Sequence, residues 1–400
     1  MRWSVFLLIL LALVAQAAAQ QPITPPESGA ARLRAARIRY DARNGVFEAR
    51  GGVQLVLQDT TVTSDILVYH ERSRVAWAEG SVRVVQRQTT LQAPQVRYEV
   101  TPQVVHASGG VVLTQPDLVL RAERLTYRSR EQVAEATGQV VVEQRGERVR
   151  AERLKYQVRE RIAIATGGVE LTTQEATLTG EALWADLASK RARVRGPARL
   201  VRRGGPPPRG REQDRVLVAL AKEDTTITAS RELRFAWAQG TEAEAEGDVR
   251  IEQVDKSAQA DRAAYSEPQD RIELVGNARV DQRSGSWLVR ERLVVPPRSE
   301  EERKALQTPA QITASRIVIT LGARDAVATG GVRVTQGGRE ATGERAEYED
   351  ATGRIVLSGK RVRLRREDGA WLEAERVVVS LKEDTFEAFG AVDTTFTVKP

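Results

Sequence analysis

Residues 134–156 read AEATGQVVVEQRGERVRAERLKY, and the fold follows from their alternation. Ala134, Ala136, Gly138, Val140, Val142 and Gln144 fall on every second position, with Glu135, Thr137, Gln139, Val141 and Glu143 between them. Strict alternation over this length describes a strand with one buried face. After a polar turn the chain returns through Val149, Ala151, Leu154 and Tyr156. There the apolar parity slips by one residue after Ala151. A one-residue slip swaps faces unless a bulge or bend absorbs it.

The same stretch recurs along the chain. Glycines stand at Gly51, Gly80, Gly109, Gly138, Gly167 and Gly196, each 29 residues after the last, and the pattern resumes at Gly247, Gly276, Gly330, Gly359 and Gly390. All seven tyrosines (Tyr40, Tyr69, Tyr98, Tyr127, Tyr156, Tyr265 and Tyr348) occupy one position of this 29-residue repeat. Their place at the far end of the return strand suits stacked packing at one margin of the sheet. A repeated unit that cannot bury its own apolar face stacks on its neighbours. The buried face is small in its middle (Ala, Gly) and larger at its ends, so the glycines form a column. Glycine inside a strand marks a bend or a close backbone approach. The column therefore reads as a crease that folds the sheet over itself, or more simply as a bulge. Each unit supplies two strand stretches, which fit an antiparallel meander bent into an open jelly roll or a parallel β-helix with one coil per unit. The period alone does not separate them.

The array breaks twice. Residues 202–214, rich in Pro, Gly and Arg, read as a linker between two repeat regions, 31–201 and 215–400, or as a surface insertion in a continuous array. Residues 296–309, bounded by prolines, read as a loop insertion with room for one helical turn. At the N-terminus, Arg2, the apolar run from Val5 to Val14 and Ala17-Ala18-Ala19 read as a signal peptide over 1–19. That run is short for a membrane span of roughly 20 residues. The expectation is export to the periplasm. The chain has no cysteine, which removes disulfides and a lipid-modified N-terminal cysteine.

Composition also narrows the chemistry. The net charge of +7 comes from 61 basic residues interspersed with 54 acidic ones, a balance suited to an ion-paired sheet surface. It also permits an anionic partner, although export argues against nucleic acid. Only His70 and His106 exist, in different units. Carboxylates recur at repeat positions, such as Glu123, Glu152 and Glu375, each followed by Arg124, Arg153 or Arg376. Such repetition suggests a solvated ladder rather than one acid–base pair. No phosphate-binding glycine loop precedes a helix. The sequence thus offers no catalytic residue, no metal site and no cofactor site, and it is not read as an enzyme.

Ala136 to Gln144 followed by Val149 to Tyr156 resembles the OstA-like (LptA-like) family of periplasmic lipopolysaccharide-transport proteins, which includes a soluble bridge and the N-terminal domain of the outer-membrane translocon. The family pattern (small-x-Gly-x-Val-x-Val-x-Gln, a turn, apolar-x-Ala-x-x-apolar-x-Tyr) recurs in nearly every unit from about residue 31 to 400. The resemblance implies a bent, open antiparallel jelly roll with an apolar groove for acyl chains, and so favours the meander. It places Val53, Leu55, Val82, Val84, Val111, Leu113, Val140, Val142, Val169, Leu171, Val249, Ile251, Val332 and Val334 in that groove, with arginines at its rim facing lipid phosphates. It implies lipopolysaccharide or another envelope lipid as cargo. It also implies other transport components, or further copies of the chain head to tail, as edge-strand partners. The chain is about twice as long as the usual single-domain bridge and has no counterpart of the translocon's long barrel. Two readings follow: a double-length bridge, or a relative carrying another glycolipid. The competing class is a structural or adhesive envelope solenoid with a filled interior.

Overall fold

The computed structural model describes residues 31–205, 218, 221–285, 297, 299–380 and 385–395. The proposed signal peptide and most of the 202–214 segment lie outside the described residues. Two compact units divide the chain between Arg195 and Gly196.

The N-terminal unit is all strand: β1 (Ala31–Arg34), β2 (Arg37–Asp41), β3 (Val46–Leu57), β4 (Thr60–His70), β5 (Val75–Gln86), β6 (Thr89–Glu99), β7 (Val104–Gln115), β8 (Leu118–Arg128), β9 (Val133–Gln144), β10 (Glu147–Gln157), β11 (Ile162–Thr172), β12 (Ala176–Asp186) and β13 (Arg191–Arg195). The C-terminal unit holds β14 (Ala198–Arg202), β15 (Thr225–Ala229), β16 (Glu232–Ala236), β17 (Glu242–Glu252), β18 (Lys256–Ser266) and β19 (Arg271–Gln282). After helix α1 (Glu300–Gln307) come β20 (Ala310–Thr320), β21 (Asp325–Gln336), β22 (Arg339–Glu349), β23 (Arg354–Arg365), β24 (Trp371–Ser380), β25 (Thr385–Phe389) and β26 (Asp393–Thr395). The 296–309 insertion therefore contains a helix of two turns. Within each unit successive long strands pair antiparallel, which selects the meander over the parallel β-helix.

The parity slip has a physical resolution. Across β9 and β10, Val140 pairs with Ala151 and Thr137 with Arg153, so Gly138-Gln139 stand opposite Glu152 alone. This two-against-one bulge absorbs the slip. On the forward strand Ala136 and Val140 stay buried, and on the return strand Ala151 and Leu154 do. Both bulge residues take left-handed backbone, Gly138 at φ +82° and Gln139 at +46°. A Cβ on Gly138 would stand 2.5 Å from Glu123 Oε2 and 2.6 Å from its Cγ. The glycine is thus required twice, by its dihedral and by the carboxylate chain lying across it. The same register shift recurs at the corresponding glycines of β3, β5, β7, β17 and β21.

At one end of the strands β3–β4, β5–β6, β7–β8, β9–β10 and β21–β22 are joined by two-residue hairpins. Arg145-Gly146, at φ +50° and +86°, has the two left-handed residues of a type I′ turn, whose twist matches the strands it joins. At the other end four-residue loops are stitched from one hairpin to the next. Arg74, Gln103, Gln132 and Arg161 offer their carbonyls to the amides of Val100 (2.9 Å), Ser129 (3.0 Å), Val158 (2.9 Å) and Leu187 (3.0 Å). The tyrosines lie just inside this end. Tyr127 faces Ala134 on one side and Val105 on the other, so its phenol covers smaller neighbours across the sheet. Burial raises the pKa of Tyr98, Tyr127 and Tyr156.

Candidate functional site

The inner face of each sheet is layered by the repeat. The first layer past the bulge is Val53, Val82, Val111, Val140, Val169, Val249 and Val332, none more than 4% exposed. In the second layer Val84, Val142 and Leu171 are buried, while Leu55, Leu113, Ile251 and Val334 are half-buried. The sequence-derived residues thus share one face, with the first layer tightly enclosed and the second more open. A third, polar layer closes the hairpin end. Gln86 donates to Asp59 (3.0 Å), Gln115 to Thr89 (3.2 Å) and Gln253 to Thr225 (2.9 Å).

The outer face carries the charge. Glu143 accepts from Arg121 at 2.8 Å and from Arg148, which hold its carboxyl below the usual range. Glu373 is held down in the same way by Arg361 and Arg363. The Ala-Glu-Arg carboxylates are placed differently from a simple ladder with the next residue. Glu123 lies across Gly138, Glu152 faces the Gln139 amide at 3.5 Å, and Arg153 reaches back to Glu135 at 3.5 Å. Both histidines are half-buried on strands. His70 packs edge-on against Trp77, and His106 lies 3.5 Å from Glu99. Among the described residues no cluster of His, Asp or Glu could hold a metal ion.

Open interior space lies in the C-terminal unit. A cavity of about 460 Å³ is walled by Leu200, Ile227, Phe235, Ile251, Ala258, Ala263, Ile272, Val280 and Leu321, among others. This volume falls within the roughly 300–1,000 Å³ of small-molecule sites. Its origin can be read by comparing return strands. On β10 the inner positions are Glu147, Val149, Ala151, Leu154 and Tyr156, and on β18 they are Lys256, Ala258, Ala260, Ala263 and Tyr265. Alanine replaces Val149 and Leu154 at the matching positions, so the sheet keeps its frame and loses its filling. Of the sequence-derived set only Ile251 lines this cavity; the alanines were missed because small residues suggest close packing rather than space.

The cavity ends differ in charge. At the hairpin end Lys256 Nζ pairs with Glu223 at 3.1 Å, and Arg202 donates to the carbonyls of Ala221 (2.9 Å) and Glu223 (3.3 Å). At the loop end stand Glu267, accepting from the Thr241 amide at 2.8 Å, and Asp270, accepting from the Gly322 amide at 2.6 Å.

Comparison with known proteins places two families on these units. Residues 61–191 match the model described as LptA/(LptD N-terminal domain) LPS transport protein, and residues 250–365 match the LptC-related lipopolysaccharide-assembly model. Among solved structures the chain is similar to LptH, the LptA-homologous periplasmic component of the lipopolysaccharide transport device of Pseudomonas aeruginosa. Identity is 15% over 36% of this chain and 95% of that chain, with a TM-score of 0.19. It is also similar to the WD40 domain of SCAP from fission yeast, at 10% identity over 85% of this chain and 95% of that one, with a TM-score of 0.13. At such TM-scores neither likeness carries weight, and the fold rests on the strand pairing itself. No curated protein matches the chain.

Proposed function

We propose that this chain, an LptA/LptD-type region joined to an LptC-related one, is a periplasmic component of lipopolysaccharide transport that holds acyl chains against the inner face of its creased sheet. One observation carries the reading: the cavity takes Ile251, Ala258, Ala263, Ile272 and Val280 of its wall from the LptC-related segment, 250–365, and the rest, Leu200, Ile227 and Phe235 among them, from the strands just before it. Apolar walls with a few polar groups at the ends suit an acyl chain with a polar head. The valine and leucine layers of the N-terminal unit would offer an apolar face of the same kind in that unit. Their tight enclosure favours a second reading for that unit alone, a structural arm with a filled interior.

A photoreactive residue at Ala258 or at Val140, irradiated in cells, separates these readings. Lipid adducts at both sites support lipid contact in each unit, and adducts at Ala258 alone support the structural arm. Adducts at neither site, with productive crosslinking from outer-face controls, overturn lipid carriage.

The terminal strands supply the proposed partner contacts. Among the described residues nothing pairs with the outer sides of β1 and β2 or of β25 and β26, and Ile38, Tyr40, Phe386, Phe389 and Val392 are exposed there. The edges are complementary in the repeat's own register. If Gly390 of one copy meets Ala36 of the next as Gly51 meets Asp65, then Ala388 faces Ile38, Glu387 faces Arg39 and Asp393 faces Arg34. An edge of this kind is a template for another chain. The chain lacks cysteine, so Ala388→Cys with Ile38→Cys should give disulfide-linked oligomers on mild oxidation. Ala388→Cys with Arg34→Cys should not. Equal crosslinking by both pairs would remove the register.

A further inference from the structure

We infer that the C-terminal unit carries a second apolar site, a notch over Ala341, Gly343 and Ala346 of β22 that takes one neutral hydrocarbon chain and is set apart from the β18 cavity by the isoleucines of β20. This deepens the acyl-chain reading above and rests on it.

Each return strand has two inner positions that flank the crease, one on the hairpin side and one on the loop side. Val149 and Leu154 fill them on β10, Ile312 and Ile317 on β20, and Leu372 and Val377 on β24. Among the described residues β18 and β22 alone carry alanine at both, as Ala258 with Ala263 and Ala341 with Ala346. On β22 the residue between them is reduced as well, because Gly343 faces Val332 where Ala151 faces Val140. Relative to β10 the strand gives up two carbons at the first position, one in the middle and three at the last. The pairing of β22 with β21 and β23 is kept on both sides of the crease, and a held framework closes over missing side chains only in part.

Burial locates the space that remains. Next to the crease β20 buries Ala314 and Ile317, and β24 buries Ala374 and Val377. Between them, on β22, Gly343 and Ala346 stay partly exposed. Ala341 and Ala346 pack on one side against the core cluster of Leu357, Val362 and Val377, and β21 sets Val332 and Val334 on the other. Tyr348 bounds the loop end, its hydroxyl donating to Asp350 Oδ1 at 2.9 Å. The alanine, valine and leucine side chains of this notch give water no hydrogen-bond partner, and an apolar group gains by covering them. An apolar space of about 150 Å³ already holds a benzene-sized group, so a gap of a few carbons suits a single chain. From β18 to β22 is four strand spacings, roughly 19 Å at about 4.8 Å each. Ile312, Ile317 and Ile319 fill the interval, which makes two seats instead of one uniform trough. Both alanine strands lie within residues 250–365, and a cargo with more than one chain is then held at two points.

The test uses the full chain and radiolabelled decanol, a neutral probe, in equilibrium dialysis below its solubility limit. Decanol should occupy both the β18 cavity and the β22 notch. Ala341→Val with Ala346→Leu, the side-chain types of β10, should abolish the second seat, and Ala258→Val with Ala263→Leu the first. The chain with all four substitutions should bind none. Retention of the β18 seat in the β22-filled chain also reports an intact fold. A diazirine analogue of decanol, irradiated on the unsubstituted chain, gives a readout without substitution: adducts should fall on β21–β23 as well as on β17–β19, and sparsely on β20. Labelling confined to β17–β19, or uptake that filling β22 leaves unchanged, overturns the second site and leaves the acyl-chain reading standing. Labelling of β20 as heavy as that of β18 and β22 overturns the separate seats. Failure of decanol to bind anywhere sinks the acyl-chain reading itself.

Discussion

Gly167 and Gly168 are neighbours in one bulge, and the structure assigns them unequal costs on substitution by alanine. Both take left-handed backbone, at φ +84° and +74°. Each alanine therefore costs about 1–2 kcal/mol for the dihedral alone. A Cβ on Gly168 meets nothing within 4 Å, whereas one on Gly167 would stand 2.5 Å from the Cβ of Glu152. Relieving that overlap should add about 1–3 kcal/mol, the usual cost of forcing extra volume into a packed site. Because each hairpin contacts only its neighbours, the loss should be local. Amide hydrogen exchange read on peptides from β10 to β12 is the suitable assay. Gly167→Ala should speed exchange there about 5- to 150-fold beyond Gly168→Ala. Glu152→Gly should rescue Gly167→Ala, since the nearest remaining atom is the Glu152 Cα at 3.6 Å, an ordinary contact. Glu152→Gly alone should cost up to about 1 kcal/mol, and the double-mutant coupling isolates the overlap. Equal damage from the two alanines, or no rescue, would refute the idea that the crease is held by a side chain lying across each glycine.

Three further outcomes follow from the same geometry. Gln139 is held at φ +46°, so Gln139→Gly should raise stability by about 0.5–1 kcal/mol, measured by thermal melting; a lower melting temperature would show that its contacts outweigh the dihedral. Glu147 has a folded pKa of about 7, above its ordinary 4.5, so the folded state binds the extra proton between those values. Its stabilising contribution is full below about pH 4.5 and is lost as pH rises through 7; Glu147→Gln should flatten that slope in urea titrations, and an unchanged slope would count against it. Leu171, fully buried beside Val169, should cost about 2–5 kcal/mol as Leu171→Ala, whereas Leu55→Ala, half-buried, should cost less; the order is checked by denaturant midpoints.

Much of the fold is legible in residues 134–156, because alternation and a fixed glycine position are direct consequences of a pleated, one-sided sheet. Even the parity slip after Ala151 was visible; what it lacked was its partner, the extra residue at Gly138-Gln139 that makes the bulge. The choice between meander and β-helix hinged on a weaker signal. Arg145-Gly146 between two apolar runs is a hairpin turn, yet only the glycine of that pair announces it. Helix α1 had its own sequence cues in Ser299, three glutamates and then Lys304, obscured by the prolines around them. The cavity was the least legible feature. It is made by what β18 omits, and Ala258 and Ala263 become informative only when set against Val149 and Leu154 in register.

The loop-to-loop hydrogen bonds and the constant depth of the crease together make length a countable property. Removing the 29 residues from Val104 to Gln132 would join Gln103 to Val133 and leave every remaining glycine opposite a residue of the right kind. The shortened chain would lose one hairpin and keep its ends, its hairpin turns and its inner layers. A deletion there that is not a whole multiple of 29 residues would set the glycine column out of step. This architecture can therefore be trimmed or extended in whole steps, and the span it covers is written as a number of repeats.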